Sequence, residues 1–232
     1  MCLDKIGLKS AIDKNNSVAI KINLARPPQT GHPRTDPLLL SKLIKYIGLN
    51  NGNCTIVESA NGYLRENLIH IGLGDIISKY KVDVIDLDLE ESEKIIIDDE
   101  EHFIPKCLRN YGVRIGLPAT SKRSGMIFSN NIKLFVGAVP RMMYQIGDKS
   151  VDWRPRVHLD LHKSVACIYR AIQQYSPFDF YINGGLAMDE HKGEFIYDNI
   201  LVGNNGVELD LYVLNNIFVT QAVPEYIKRL EI

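Results

Sequence analysis

Cysteine is scarce in this chain of 232 residues, and its four thiols, Cys2, Cys54, Cys107 and Cys167, are spread from end to end. There is no CxxC pair and no dense framework. The spacing therefore offers neither an iron–sulfur signature nor a disulfide scaffold, and reduced thiols in a cytoplasmic protein are expected. An excess of charge is missing too: 27 Lys and Arg stand against 28 Asp and Glu, a formal net charge of −1. Without a global positive field, neither nucleic acid nor an anionic membrane is an expected partner, and any anion site must be local. No apolar run approaches the roughly 20 residues that span a bilayer. The opening segment, MCLDKIGLKSAIDKN, has no apolar leader core, so a soluble, unexported protein is expected. GxSxG, GxGxxG, P-loop and HExxH patterns are all absent, and no serine or cysteine is recognisably joined to a histidine and an acid, which leaves nucleophilic hydrolysis unsupported. Neither a cofactor nor an oligomeric state follows from the residues.

At 45% hydrophobic content the chain can bury a large core, and one domain over 1–232 is expected. Its most informative stretch is Ser17 to Pro37. The alternating run Val18, Ile20, Ile22, Leu24 predicts a strand that carries Lys21 and Asn23 on its other face. A loop bearing Arg26, His32 and Arg34 follows. Thr35-Asp36-Pro37 then predicts a helix start, because a side-chain oxygen can cap free N–H groups and proline suits the first helical position. Strand, basic loop and capped helix make one half of a site for something negatively charged.

Leu39, Leu40, Leu43, Ile44 and Ile47 recur at helical spacing up to Gly48. CTIVES predicts a second strand ending at Glu58, and helical segments broken at Gly72 to Gly74 lead to VDVIDLDL, which places Asp86 and Asp88 at a third strand end. Three strand-to-helix units in succession argue for a mostly parallel or mixed sheet flanked by helices, a three-layer α/β fold. Ligands of such sheets bind beyond the carboxyl ends of the strands, where Lys21, Asn23, Glu58, Asp86 and Asp88 would gather. The acidic stretch LEESEKIIIDDEE reads as a solvated hairpin or loop. VRIGLP predicts a fourth strand, with Lys122 and Arg123 after it. IKLFVGAVP is apolar enough to be buried but too rich in glycine and proline at its end for a long helix. A long amphipathic helix is expected from His158 to Tyr175, then two strands (FDFYINGG and FIYDNILVGNNG) and a last helix.

Lys21 admits two readings. In a sheet buried on both faces it is tolerated either by a ligand at the strand end or by a structural ion pair with Glu58 or Asp86. The arginine-bearing loop that follows favours the ligand. His158 and His162 stand four apart, which on one helix would bring both imidazoles to one side, but nothing nearby completes a metal set. His158 is better placed as a hydrogen-bonding or proton-transfer group at the cleft rim. Gly184-Gly185 and Gly203-Asn204-Asn205-Gly206 read as turns rather than phosphate loops.

The landmarks VAIKINL then TDP, VRIGLP before a lysine, IKLFVGAVP, His158, INGGLAMDEHKGEF and GNNGVELDLY occur in the order that resembles the family called domain of unknown function 362. That resemblance implies an α/β fold over most of the chain and draws in Asn183, where the family carries an aspartate, and Asp210, at the end of its last motif. It also marks departures: no histidine follows Lys122 and Arg123, and Leu134 stands where an asparagine is usual. The ferredoxin-like module of some relatives is not matched in this chain.

Taken together, the expected ligand is a small carboxylated or phosphorylated metabolite. Lys21, Asn23, Arg26, Arg34 and Glu58, with Asn183 and Asp210, are the expected binding residues; Lys122, Lys133 and His158 are the expected catalytic ones, in an enzyme or a diverged descendant of one. A non-catalytic binding or accessory protein that kept the cleft is the alternative, favoured by the changes at Leu134 and Asn183. A redox accessory that borrows a partner's cluster is a more remote one.

Overall fold

Two short helices, α1 (Cys2–Lys5) and α2 (Leu8–Lys14), precede strand β1 (Ser17–Ile22) in the computed structural model, which describes residues 2–27, 31–123, 127–147 and 151–230. The helix after the basic loop, α3 (Pro37–Leu49), starts where the capping signal stands: Asp36 Oδ1 accepts from the Leu39 N–H at 2.9 Å, with Pro37 at the first helical position. Strand β2 (Asn53–Glu58), helices α4 (Leu64–His70) and α5 (Gly74–Lys79), and strand β3 (Asp83–Asp86) complete the first half. The acidic stretch forms an antiparallel hairpin, β4 (Ser92–Ile97) and β5 (Glu100–Pro105), outside the main sheet. Next come β6 (Val113–Leu117), β7 (Thr120–Arg123), β8 (Ile127–Ser129) and the single turn of α6 (Asn131–Leu134). Helix α7 (Leu161–Tyr175), the long strands β9 (Phe180–Asp189) and β10 (Gly193–Gly203), and helices α8 (Gly206–Asn216) and α9 (Glu225–Lys228) follow.

Among the described residues the main sheet has eight strands in the order β3-β2-β1-β6-β9-β7-β8, with β10 paired to β9. The pairings from β3 through to β7 are parallel, while β7 with β8 and β9 with β10 are antiparallel. The result is a mixed, mostly parallel sheet between two layers of helices. Strand β9 borders β6 with its first residues and β7 with its last, so the two consecutive strands act as one broken edge beside it.

Alternation along the strands builds a core on each face. Val18, Ile20 and Ile22 of β1 join Cys54 and Ile56 of β2, Val113, Ile115 and Leu117 of β6 and the apolar sides of α2 to α5. On the other face Val57, Tyr181, Phe135 and Phe178 pack with α7, α8 and α9. Lys21 falls in the alternation with this second face, at the carboxyl end of β1. None of the described helices is long and apolar enough to cross a membrane. Cys54, Cys107 and Cys167 are free thiols, whereas the side chain of Cys2 lies outside the described residues.

The helix expected from His158 starts later. Asp160 caps α7 by accepting from the Lys163 N–H at 3.0 Å, and His158 sits before it on a single 3-10 turn, Pro155–His158. His158 and His162 therefore do not share the one helix on which their spacing would bring both imidazoles to one side. His162 stacks on Tyr226, with ring centroids 5.8 Å apart, and His158 meets the edge of Trp153 at 5.1 Å.

Candidate functional site

The loop after β1 is closed at its base by Thr35. Its N–H donates to the Asn23 carbonyl at 2.9 Å, and its hydroxyl accepts from the Asn23 N–H at 2.8 Å while donating to the Leu117 carbonyl at 2.7 Å. Two buried charges hold the first turn of the same loop. Glu58 accepts from the Leu24 N–H at 3.1 Å, and Arg141 donates to the Ala25 carbonyl at 3.1 Å. With the base of the loop fixed, residues 23–27 and 32–34 stand as one wall of a cleft of about 280 Å³. Ser121 and Arg123 of β7, Ser129 at the end of β8, Lys133 of α6 and His158 form the opposite wall.

Of the residues singled out in the sequence, Asn23, Arg26, Arg34, Lys133 and His158 line this cleft together with His32. No carboxylate is among its described lining residues. The Arg26 guanidinium donates to His32 Nε2 at 3.0 Å and lies 3.8 Å from the exposed Asp152 carboxylate. Arg34 Nε is buried without a hydrogen-bond partner. Burial lowers the Lys133 ammonium from its ordinary value, and the Arg123 charge lowers it further. Desolvation likewise lowers both imidazoles; Arg26 and Arg123 add to it at His32, Lys133 and Arg154 at His158. Like charges crowded into a partly dry space disfavour each other's protonation, which is the state an arriving anion relieves.

Lys21 and Glu58 are placed elsewhere. Lys21 is 0% and Glu58 1% exposed, with Lys21 Nζ 3.0 Å from Glu58 Oε1 and 2.7 Å from the Ile22 carbonyl. The ligand reading of Lys21 gives way to the ion pair, because the ammonium finds its acceptors within the fold, away from the cleft lining. Burial pushes the Glu58 carboxyl up and the Lys21 ammonium down, each opposed by the other's charge. Gly137 covers the pair so closely that an added Cβ would stand 2.5 Å from Glu58 Oε1 and 3.0 Å from Lys21 Nζ. Asp88 is also internal. It accepts from the Arg141 N–H at 2.7 Å and lies 3.4 Å from Arg141 Nε and 3.8 Å from Arg154 Nη2. Asp86 accepts from the N–H groups of Ala60 and Gly62 and so fixes the turn after β2.

Lys122 is corrected by the pleat of β7. Ser121 and Arg123 face the cleft, so Lys122 between them falls on the other side, beside Asp189. Asn183 and Asp210 form a second buried polar cluster rather than part of the cleft lining. Asp210 accepts from the N–H groups of Asn131 and Ile132 at 2.9 and 3.2 Å and from Asn131 Nδ2 at 2.9 Å. Asn183 donates to Asn130 Oδ1 at 2.6 Å and accepts from Asn131 Nδ2 at 3.0 Å. Together they pin the start of α6, the turn that carries Lys133 into the cleft. Burial pushes the Asp210 carboxyl up to about 7, against these donors.

The glycine segments serve as turns and caps. At Gly185, with φ +73°, a Cβ would overlap Asp36 Oδ2, and that oxygen accepts from the Leu186 N–H at 2.9 Å. Asn205 caps α8 by accepting from Val207 and Glu208. Among the described residues no group of three or more His, Cys, Asp or Glu side chains gathers as a metal site. Ser121, Arg123, Ser129 and His32 line the cleft without being among the site residues expected from the sequence. Arg123 and His32 carry a legible signal, being basic residues next to or within segments already marked, whereas the two serines carry none.

No curated protein matches the sequence. Residues 18–215, which hold every side chain described in the cleft and in both buried clusters, match the family described as domain of unknown function, DUF362. The chain belongs to that family.

Proposed function

We propose that the cleft binds a small carboxylated or phosphorylated metabolite. One observation carries the reading: Arg26, Arg34, Arg123 and Lys133 line a single cleft with no carboxylate among the described lining residues, and the acid that Arg26 meets, Asp152, is exposed outside that lining at 3.8 Å. Guanidinium groups present planar, paired donors suited to carboxylate and phosphate oxygens. The hydroxyls of Ser121 and Ser129 and the amide of Asn23 add neutral donors that can orient the rest of the molecule. The location agrees with the rule for open α/β sheets, in which ligands bind beyond the carboxyl ends of parallel strands.

The test is isothermal calorimetry and thermal shift of the native protein with a panel of phosphorylated and carboxylated metabolites and with inorganic phosphate. Binding of at least one anion, weakened at least tenfold by Arg34→Ala and reduced by added salt, is expected. If no anion in the panel stabilises the wild type, or if Arg34→Ala binds as well as the wild type does, the reading fails.

A further inference from the structure

Lys133 differs in kind from the other cations of the cleft. An arginine keeps its proton at any ordinary pH, whereas a lysine can lose one and become a nucleophile. Three features of its setting favour the neutral amine. No acidic side chain is among the described lining residues to hold the proton on, Arg123 lies close enough to disfavour a second charge, and the cleft wall partly removes the side chain from water. Its position is also fixed from behind. The N–H groups of Asn131 and Ile132, at the start of the same turn, are anchored on the buried Asp210.

We propose that Lys133 forms a covalent imine with a small carbonyl compound that also bears a carboxylate or a phosphate. The proposal rests on the anion-binding reading above and narrows its ligand to an oxo acid or a phosphorylated aldehyde or ketone. The arginines hold the anionic end, and Lys133 meets the carbonyl carbon. The Nζ lone pair forms the C–N bond as the C=O π pair moves to oxygen. His158, which faces the same cleft and is held neutral, takes a proton from the nitrogen and returns it to that oxygen. The carbinolamine then loses water, leaving C=N, with amine plus carbonyl balanced by imine plus water. No oxidant or metal is required.

The experiment is reductive trapping of the native protein. Pyruvate or dihydroxyacetone phosphate is added with sodium borohydride, and the product is read by intact mass and peptide mapping. The expected result, with at least one probe, is a single adduct on Lys133 that adds the mass of the probe less one oxygen atom. It should be suppressed by excess inorganic phosphate, abolished in Lys133→Arg and unchanged in Lys122→Arg, whose side chain lies on the other face of β7. Mapping of the wild type assigns the site even if Lys133→Arg folds poorly. The proposal is overturned if neither probe labels Lys133 above the level of the exposed lysines. Should phosphate still stabilise the wild type in that event, the anion site survives and the covalent step alone is lost.

Discussion

Two groups of basic side chains lie next to each other in this protein, one buried beneath the loop after β1 and one in the cleft that the loop encloses. In the buried group, Lys21, Arg141 and Arg154 are matched by Glu58 and Asp88 and by backbone carbonyls at 2.5 to 3.8 Å. In the cleft, Arg34, Arg123 and Lys133 have no acid among the described lining residues, and Arg26 shares a longer, exposed contact of 3.8 Å with Asp152. Arg141 of the first group anchors Ala25, and Glu58, the partner of Lys21, anchors Leu24; the second group faces the space those residues border. A strand-end lysine thus takes its role from the acceptors the fold brings within reach. Residue type does not separate the two groups, but neutralisation does, and it implies opposite responses to mutation.

The largest expected effect is at Lys21. Lys21→Ala should destabilise the fold by about 3–5 kcal/mol in urea melts, because Glu58 is left charged and unpaired in the interior. A loss below about 1 kcal/mol would return Lys21 to the class of the cleft cations. Pairing Lys21→Met with Glu58→Leu should recover much of the loss, since a buried pair is often replaceable by apolar groups of similar volume.

Next in size is a dependence on pH carried by Asp210. Its folded pKa, about 7, is raised above the unfolded carboxylate value, so its stabilising contribution is complete below about pH 4 and is lost as pH rises through 7. Glu58, raised by the same burial, acts in the same direction. The stability of the wild type relative to Asp210→Asn should fall by on the order of 4 kcal/mol between pH 4 and pH 8. A difference that stays flat with pH would show that the donors at Asn131 and Ile132 outweigh desolvation.

Gly137→Ala tests how tightly the buried pair is covered. The new methyl would overlap Glu58 Oε1, and a loss of about 1–3 kcal/mol is expected, as for overpacked cores. The smallest stability effect belongs to the cleft. Arg34→Ala should change unfolding free energy by about 1 kcal/mol or less, while removing most of the thermal stabilisation that a bound anion gives. If Arg34→Ala instead unfolds the protein as Lys21→Ala does, the distinction between the two groups collapses.

Much of this arrangement is legible in the residues themselves. The alternation of β1, the Thr35-Asp36-Pro37 cap, the paired helices around Gly72 to Gly74 and the strand ends at Glu58 and Asp86 all follow from local pattern and capping chemistry. So does the gathering of Arg26 and Arg34 with Asn23 beyond the end of β1, since a strand and its following loop are neighbours by connectivity. His158 also reaches the cleft, although from a turn before α7 rather than from the helix itself. The capping carboxylate of Asp160 starts α7 at Leu161 rather than at the expected His158, and a one-residue shift along β7 hides Lys122 while presenting Arg123.

Sequence alone determined β1, β2, β3 and β6 and the helices α3 and α7, though not the short strands β7 and β8, and therefore many of the side chains that arrive at the carboxyl ends of the parallel strands, because those outcomes depend on period, caps and turns a few residues long. Tertiary structure alone decided which of those side chains are neutralised. Lys21 meets Glu58 across 37 positions of chain and Asp88 meets Arg141 across 53, while Asp210 reaches Asn131 across 79. Ion pairing in a dry interior depends on distance in space and on the exclusion of water. Neither quantity is carried by any short stretch of residues, and both are set when the sheet brings distant strands and turns together.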